Sequence, residues 1–338
     1  MSTSLAQTPE TDVHGEGASM GRIVWKRFTH HRVAMVSAIL LGLTILLVVT
    51  SIGIGPIPGW WQWNYTQTNP VLNPRGAPTM GWENGTFVFG AHPFGQDEIG
   101  RDIFARVMRG AQQSLMVMVI MGLIATAVGV IVGAFSGFYR GRLDNVLMRM
   151  TEVVIAIPTL VLAAVIGKAS GGGAIPLAIL LGFALWPVLA RLVRAEYLSL
   201  REREFVDAAR VAGASDRTIM FRHILPNSMG VIIVNATLLM AVATILEASL
   251  SYLGFGIQFP DVSLGYLINE YKSAFTVRPW LFWWPGVFII TFALTVNLIG
   301  DGLRDAFDPR QKRIPKDKDF ARAGRAAAKD NPGREVIK

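Results

Sequence analysis

Hydrophobic residues in this chain form long uninterrupted blocks instead of alternating with polar ones. A bilayer core about 30 Å thick requires roughly 20 apolar residues in a helix. Six stretches approach or exceed this length, and a single acid, Glu152, lies inside one of them. The pattern predicts an all-α integral membrane protein with six transmembrane helices. The predicted spans are Val33–Ile54, Gly110–Tyr139, Met150–Gly167, Ala169–Ala190, Ile224–Leu246 and Pro279–Gly300.

The composition supports a membrane protein. Hydrophobic residues make up 51% of the chain and charged residues 17%, with a mean hydropathy of +0.41. Soluble globular proteins carry about 25% charged residues. A disordered chain, a fibre and an ordinary cytosolic enzyme are therefore excluded. There is no Cys, which excludes disulfides, Cys-ligated metals and a thiol nucleophile.

The positive charges indicate the orientation. With six spans both termini lie on one side, and 25 of the 32 Lys and Arg residues fall on that side. Lys and Arg concentrate in cytoplasmic loops, so we expect both termini in the cytoplasm of a multi-pass protein of the cell (plasma or inner) membrane. The net charge of +8 then reflects topology, and nucleic-acid binding is not expected. The predicted segments are a cytoplasmic tail 1–32, a first helix 33–54, an outer loop and elbow 55–109, a core of five helices 110–307 and a cytoplasmic tail 308–338.

Several local patterns predict how the chain packs. Small residues recur at every fourth position from Ala125 to Gly137, which favours close helix packing over a pore lining. Pro158 and Pro187 should kink the third and fourth spans. We expect the outer segment Glu247–Arg278, which is partly apolar, to dip back into the protein. Three tryptophans should form an aromatic belt at the membrane interface, namely Trp60, Trp61 and Trp63.

The predicted cytoplasmic segment Arg191–Asn227 contains a helix–turn–helix pattern. A short helix should end at Gly213, and Ser215 or Asp216 should cap a second helix that runs to Leu225 and is broken by Pro226. The apolar face of the first helix should carry Phe205, Ala208, Ala209 and Ala212, spaced at i, i+3, i+4 and i+7.

Three interpretations of this segment compete. Tethering between two spans makes a DNA-binding helix–turn–helix sterically poor. A face of small apolar residues does not suit a solvated linker. A rigid projection that docks on a cytoplasmic partner fits both observations, and we favour it.

The same segment resembles the EAA loop of ABC-importer permeases. The resemblance rests on Asp207-Ala208-Ala209, on Gly213 and on Ile224-Leu225-Pro226. The sequence departs from the family pattern in having Asp for Glu and no residue between Ile224 and Leu225. The resemblance implies a coupling loop 191–227 that contacts ATPase subunits through Phe205, Asp207, Ala208, Ala209, Gly213, Ala214, Ser215, Leu225 and Pro226.

Three further motifs resemble the dipeptide/oligopeptide/nickel permeases, in their "C"-type subunit. Gly95–Arg106 is similar to the segment ahead of the second span, Glu247–Gly256 to an internal motif, and Asn297–Pro309 to the end of the core. With the EAA loop, the motifs span roughly residues 20–313 in the family's order.

The resemblance implies a type I ABC-importer permease fold, with 110–307 as the permease core. It implies a homologous permease subunit, two cytoplasmic ABC ATPase subunits and an extracytoplasmic solute-binding protein as partners, within membrane lipid. The chain should not be an enzyme, because it lacks a phosphate-binding loop of the type G-x-x-x-x-G-K-[ST]. Around Lys168 only the Gly-Lys pair is present. ATP and Mg should therefore bind the ATPase subunits, and we expect no cofactor, metal or catalytic residue in this chain.

Four polar residues in or near the spans are candidates for the translocation path: Glu152, Asn235, Glu247 and Asn297. Polar groups in spans usually face the interior or water. Alternatives are open for all four: Glu152 can pair with Arg149 three residues earlier, Glu247 is similarly balanced between a structural role and the path, and the asparagines can join helices by hydrogen bonds. The charged group at Asp97, Arg101 and Asp102 is predicted to be an ion-paired elbow rather than a metal site.

The sequence does not name the substrate. Dipeptides, longer peptides, nickel chelates and other small solutes all suit the resemblance. A secondary transporter would need broken helices in two matching halves, and a membrane enzyme would need His or acids clustered inside spans. None of the five His residues lies in a predicted span, and no repeat of halves is visible.

Overall fold

A computed structural model describes residues 20–83 and 85–307, and this part of the chain is almost entirely helical. The helices are α1 Met20–His30, α2 Arg32–Ile52, α3 Ile103–Tyr139, α4 Gly141–Ala156, α5 Thr159–Ala169, α6 Ala174–Leu185, α7 Pro187–Leu200, α8 Glu204–Val211, α9 Asp216–Thr218, α10 Leu225–Tyr252, α11 Leu264–Tyr271 and α12 Trp280–Phe307. Two short antiparallel hairpins are present. In the first, β1 Gly53–Ile54, at the end of the predicted first span, pairs with β2 Ile57–Pro58, and in the second, β3 Gly81–Glu83 pairs with β4 Thr86–Val88.

Four helical stretches of the described chain are long and apolar enough to cross a membrane: α2, α3, α12 and Asp216–Tyr252. Two bent pairs raise the number to six if each pair forms one span. The α4–α5 pair bends by 87° and the α6–α7 pair by 42°. The bends lie at Pro158 and Pro187, which confirms the two predicted kinks. The predicted spans Met150–Gly167 and Ala169–Ala190 are therefore each broken, and the second pair begins only at Ala174.

Helix α3 is the centre of the bundle, where it packs against α6, α7 and α10. Its small-residue stripe faces α7. A Cβ added to Gly133 would lie 2.5 Å from the Ala190 carbonyl oxygen, and one added to Gly137 would lie 2.7 Å from that of Arg194. The stripe therefore serves close packing within the chain, as predicted.

The structure corrects the predicted helix break at Pro226. The helix is continuous from α9 into α10 through a π-helical turn at Ile219–Ile224. The Leu225 amide donates to the Met220 carbonyl, five residues back. Proline lacks an N–H and its ring crowds the preceding turn. Because the wider π turn directly precedes Pro226, the proline falls where helical bonding is already irregular.

The predicted polar tail 1–32 contains a helix. In α1, Val24 and Phe28 are buried against Ala34 of α2 and Ala306 of α12. The His31 ring accepts a hydrogen bond of 3.1 Å from the Ala34 amide and caps α2. The expectations for residues 1–19 and for the tail 308–338 lie outside the described residues.

The predicted outer loop is folded, and two of the three tryptophans predicted for the interfacial belt are tied into it by hydrogen bonds. The Trp61 indole donates to Asp102 Oδ2 at 2.9 Å, and the Trp63 indole donates to the Ala91 carbonyl at 2.9 Å. Only Trp60 among the three is largely exposed. Farther along the chain, α11 is buried through Leu264 and Leu267, so the segment predicted to lie outside packs back into the protein, as expected.

Candidate functional site

The predicted coupling loop is a compact helix and turn. Helix α8 ends at Val211 and is followed by a turn at Gly213, whose φ is +81°, a conformation that glycine adopts without steric cost. The Gly213 amide donates to the Arg210 carbonyl and the Ala214 amide to the Ala209 carbonyl, at 2.9 and 3.0 Å. The Ser215 hydroxyl then caps α9 by accepting from the Thr218 amide at 3.3 Å. A Cβ on Gly213 would meet nothing within 4 Å, so the turn requires glycine for its backbone conformation alone.

Helix α8 has a buried face and an exposed apolar face, and the division differs from the prediction. Val206 and Ala209 are buried in the chain's own core beside Tyr197, Ile219 and Met220. Ala209 therefore does not belong to the outward face that the spacing predicted. The exposed apolar face, hereafter the docking face, consists of Phe205, Ala208, Val211 and Ala212. Val211 is 90% exposed and Phe205 is 37% exposed, so the two largest apolar side chains of the docking face are open to solvent.

Polar contacts hold this projection on the bundle. The Tyr197 hydroxyl donates to the Met220 carbonyl at 3.2 Å and joins α7 to the π turn. Arg194 of α7 binds the Asp144 carboxylate of α4 through two hydrogen bonds of 2.6 Å. The Arg201 guanidinium donates to the Phe138 carbonyl at the end of α3. These contacts join α7 and the segment after it to the π turn, to α4 and to the end of α3.

The remaining predicted coupling residues differ in how far they are exposed. Asp207 is exposed and pairs with Arg210 at 3.3 Å. Ala214 and Leu225 are half-buried against the core cluster, and Pro226 lies in the first turn of α10.

No hydrogen bond or ion pair joins any of the four predicted path residues to another of them. Glu247 is fully buried, where it accepts hydrogen bonds from Ser114 at 2.7 Å and Ser251 at 2.8 Å. Asn235 donates to a carbonyl of its own helix at 2.8 Å, while Asn297 is exposed. Glu152 is exposed and forms the anticipated ion pair with Arg149 at 3.0 Å.

A buried charge network at the start of α3 was only partly visible in the sequence. Asp97 pairs with Arg101 at 2.5 Å, which confirms the ion-paired elbow. Arg106 reaches Asp97 at 3.3 Å and Glu270 at 2.7 Å, and the Tyr271 hydroxyl donates to Asp97 at 3.0 Å. Sequence reasoning missed Glu270 and Tyr271 because nothing local links α11 to α3.

Asp102 belongs to a separate cluster. It caps α3 by accepting from the Ala105 amide at 2.8 Å, and it contacts His92 Nδ1 at 2.7 Å. Burial raises the pKa of Asp102 above its ordinary value, although the hydrogen bonds to Ala105, His92 and Trp61 oppose the shift. Among the described residues, no group of three or more His, Cys, Asp or Glu is arranged to hold a metal ion.

These features define an integral membrane protein built from a helical bundle with an exposed helical projection. Residues 129–313 match the family described as binding-protein-dependent transport system inner membrane component, and residues 19–78 match the N-terminal TM domain of oligopeptide transport permease C. The chain belongs to the family of binding-protein-dependent transport inner membrane components, and the resemblance drawn from its motifs is confirmed.

Full-length relatives agree with this assignment. The chain is 35% identical over 302 residues to the oligopeptide transport system permease protein OppC of Mycobacterium tuberculosis (strain H37Rv), covering 88% of this chain and 98% of the relative. It is 34% identical to OppC of Bacillus subtilis (strain 168), covering 86% and 91%. It is 37% identical to the putative peptide permease protein BRA0407/BS1330_II0404 of Brucella suis, covering 84% and 89%.

The fold is also found in a solved structure. A chain of the MetNI methionine ABC transporter in an inward-facing conformation matches with a TM-score of 0.50 and 17% identity, covering 61% of this chain and 98% of the other. At that identity the match concerns the fold alone.

Proposed function

We propose that this chain is the transmembrane permease subunit of an ATP-driven ABC importer. With a homologous permease it forms the path for di- or oligopeptides delivered by an extracytoplasmic solute-binding protein. The peptide substrate is supported by the names of the relatives, which are permeases for oligopeptides or peptides. Two cytoplasmic ATPase subunits bind ATP and Mg, and this chain performs no catalysis. Both of its termini lie in the cytoplasm.

The observation that carries the proposal is the exposed apolar docking face on a rigidly held α8. Burial of Phe205 and Val211 against a partner would remove apolar area from water, which favours association. The opposite face of α8 is packed into the bundle through Val206 and Ala209. A push on the docking face therefore moves α7 and α10 together. Alternating access follows if the ATPases contact the two bundle conformations differently.

The structure provides a matched pair of substitutions to test coupling. Ala208→Glu places a charge on the docking face, whereas Ala209→Glu places it in the chain's own core. We expect Ala208→Glu to leave membrane insertion and thermal stability unchanged and to abolish co-purification of the ATPases. Ala209→Glu should destabilise the chain itself, because a buried unpaired charge is costly. Thr86→Glu, which is exposed on the outer hairpin, controls for added charge.

The functional measurement is peptide uptake into proteoliposomes that contain both permeases and the ATPases, with the solute-binding protein supplied. Uptake should require ATP and should be lost in Ala208→Glu but not in Thr86→Glu. If Ala208→Glu retained the ATPases and normal uptake, α8 would not be the coupling element. Calorimetric titration of the isolated chain with ATP should detect no binding. Micromolar affinity would place nucleotide on this subunit and contradict the assignment.

A further inference from the structure

Helix α4 is exposed on two chemically different sides. Its buried side carries Asp144 and Thr151 and packs on α3 and α7. The two hydrogen bonds between Asp144 and Arg194, both 2.6 Å, fix the rotation of α4 about its axis. The outward orientation of the remaining side chains is therefore determined by the fold.

One exposed side is polar. Its residues recur at i, i+3, i+7 and i+10, the spacing of one helix face. We call them the polar stripe: Arg142, Asn145, Arg149 and Glu152. The Arg149–Glu152 ion pair within it has side chains 81% and 59% exposed. Nothing in the described chain covers this pair.

The adjacent exposed side is apolar and has the same spacing. This apolar stripe consists of Leu143, Val146, Met150 and Val153, which are between 41% and 61% exposed. Each of its members is one position beyond a member of the polar stripe. The two stripes therefore occupy the same depths, separated by about 100° around the helix and about 1.5 Å along it.

The two stripes require different surroundings. Helix α4 forms the first part of a bent pair that together is long and apolar enough to cross a membrane. Lipid tails accept the apolar stripe. They do not accept Glu152, which lies inside the predicted span, with its partner Arg149 at the start of that span, since charged side chains in spans face the protein interior or water.

We propose that the polar stripe of α4 lines the water-filled translocation path at the end that the charge distribution places near the cytoplasm, with Arg149 and Glu152 contacting the charged ends of a passing peptide. The proposal rests on the proposed function, because it takes a peptide as the occupant. A peptide with free termini carries one ammonium and one carboxylate, which match Glu152 and Arg149. The mutual pairing of the two side chains keeps their net attraction weak, and passage requires contacts that are weak enough to release the solute.

The absence of Cys from the chain allows the orientation to be tested directly. Single cysteines replace Asn145 and Glu152 in the polar stripe, and Val146 and Val153 as controls of matched depth. The complete transporter is placed in inverted vesicles and treated with a charged, membrane-impermeant thiol reagent. We expect at least 10-fold faster reaction at the polar positions. After denaturation in SDS the same reagent should label all four positions, because every thiol then meets water and can ionise, which shows that each variant is present.

Alternating access predicts a second result: the reactivity of the polar stripe should change when the transporter changes conformation. Trapping the transporter with vanadate closes the cytoplasmic end of the path, so the cysteine at 152 should react at least 10-fold more slowly. Equal rates in the two stripes, or faster reaction in the apolar stripe, would overturn the proposal, since another surface would then face the path. An unchanged rate at 152 after trapping would place the stripe at the membrane surface and would also overturn it.

The proposed contact between Arg149 and the peptide is tested by removing the charge at the C-terminus of the peptide. Relative to wild type, Arg149→Gln should lower uptake of a tripeptide with a free carboxylate about 10-fold more than uptake of its C-terminal amide. Equal losses for both peptides would mean that Arg149 has only a structural role. The labelling experiment does not depend on transport. If peptides are not transported but the contrast in labelling persists, the proposed peptide function fails while the stripe remains the wall of the path.

Discussion

Arg106 and Glu270 lie 164 positions apart in the sequence and are joined by two hydrogen bonds of 2.7 and 3.4 Å. The Arg106 side chain is 2% exposed and that of Glu270 is 23% exposed. The pair fastens α11 onto the beginning of α3, which is the central helix of the bundle. A buried guanidinium depends on such partners, because desolvation penalises an unpaired charge.

Glu270→Gln should therefore destabilise the chain. Loss of one member of a buried pair costs about 3–5 kcal/mol, and we expect the lower end of this range because Glu270 retains some contact with solvent. Thermal unfolding in detergent measures the loss. Glu202→Gln is the control, since Glu202 is 64% exposed and pairs at 2.6 Å with Arg140, which is 42% exposed. An exposed pair contributes at most about 1 kcal/mol. Similar melting temperatures for the two variants would show that the Arg106–Glu270 pair does not stabilise the fold.

Gly133→Ala should loosen the contact between α3 and α7. The new methyl group would lie 2.5 Å from the Ala190 carbonyl oxygen and 2.7 Å from the Val193 Cβ, so the helices must separate. Overpacking of this kind costs about 1–3 kcal/mol. Gly42→Ala in α2 is the matched control, because its Cβ would meet nothing within 4 Å. We expect unfolding in detergent to shift to lower temperature for Gly133→Ala only, and an equal shift for both would argue against close packing as the reason for the stripe.

The buried carboxyl of Asp102 predicts a specific pH dependence. Its pKa in the folded chain is raised above the ordinary value of 3.8, chiefly by burial. A raised pKa means that the folded state binds the proton more tightly than the unfolded state, so stability increases as the pH falls through the folded pKa toward 3.8. We expect the melting temperature to rise, relative to Asp102→Asn, as the pH decreases over this window.

This comparison is made in a His92→Gln background, so that Asp102 has no ionisable side chain as a hydrogen-bond partner. Glutamine retains an amide that can donate to Asp102. A difference in melting temperature that stays constant with pH would indicate that Asp102 titrates normally, in contradiction of the structural argument.

Thr86 provides an accessible site for testing the orientation. It is exposed on the hairpin of β3 and β4. The chain contains no Cys, so an introduced cysteine is the one residue that a thiol reagent labels. Thr86→Cys should react with an impermeant maleimide in intact cells, as the distribution of Lys and Arg predicts. Arg217→Cys, which is exposed within the predicted coupling loop, should react only after lysis. The reverse pattern would invert the proposed topology.

The sequence alone determined the features that depend on local chemistry. Apolar runs of spanning length located the membrane helices, because the bilayer demands a continuous hydrophobic stretch. Pro158 and Pro187 marked the bends, since proline interrupts helical hydrogen bonding wherever it occurs. Gly213 marked the turn after α8 for the same kind of reason, a backbone conformation that favours glycine.

Only the tertiary structure decided which neighbours these elements meet. Helical spacing placed Ala208 and Ala209 on one face, yet packing turned Ala209 into the core and left Ala208 outside. Trp61 and Glu270 likewise acquired their roles from partners distant in the chain. The spacing of apolar residues predicts which side chains share a helix face. Whether that face is buried depends on the surface that it contacts in the folded chain. That contact is a property of the assembled bundle, and no local run of residues encodes it.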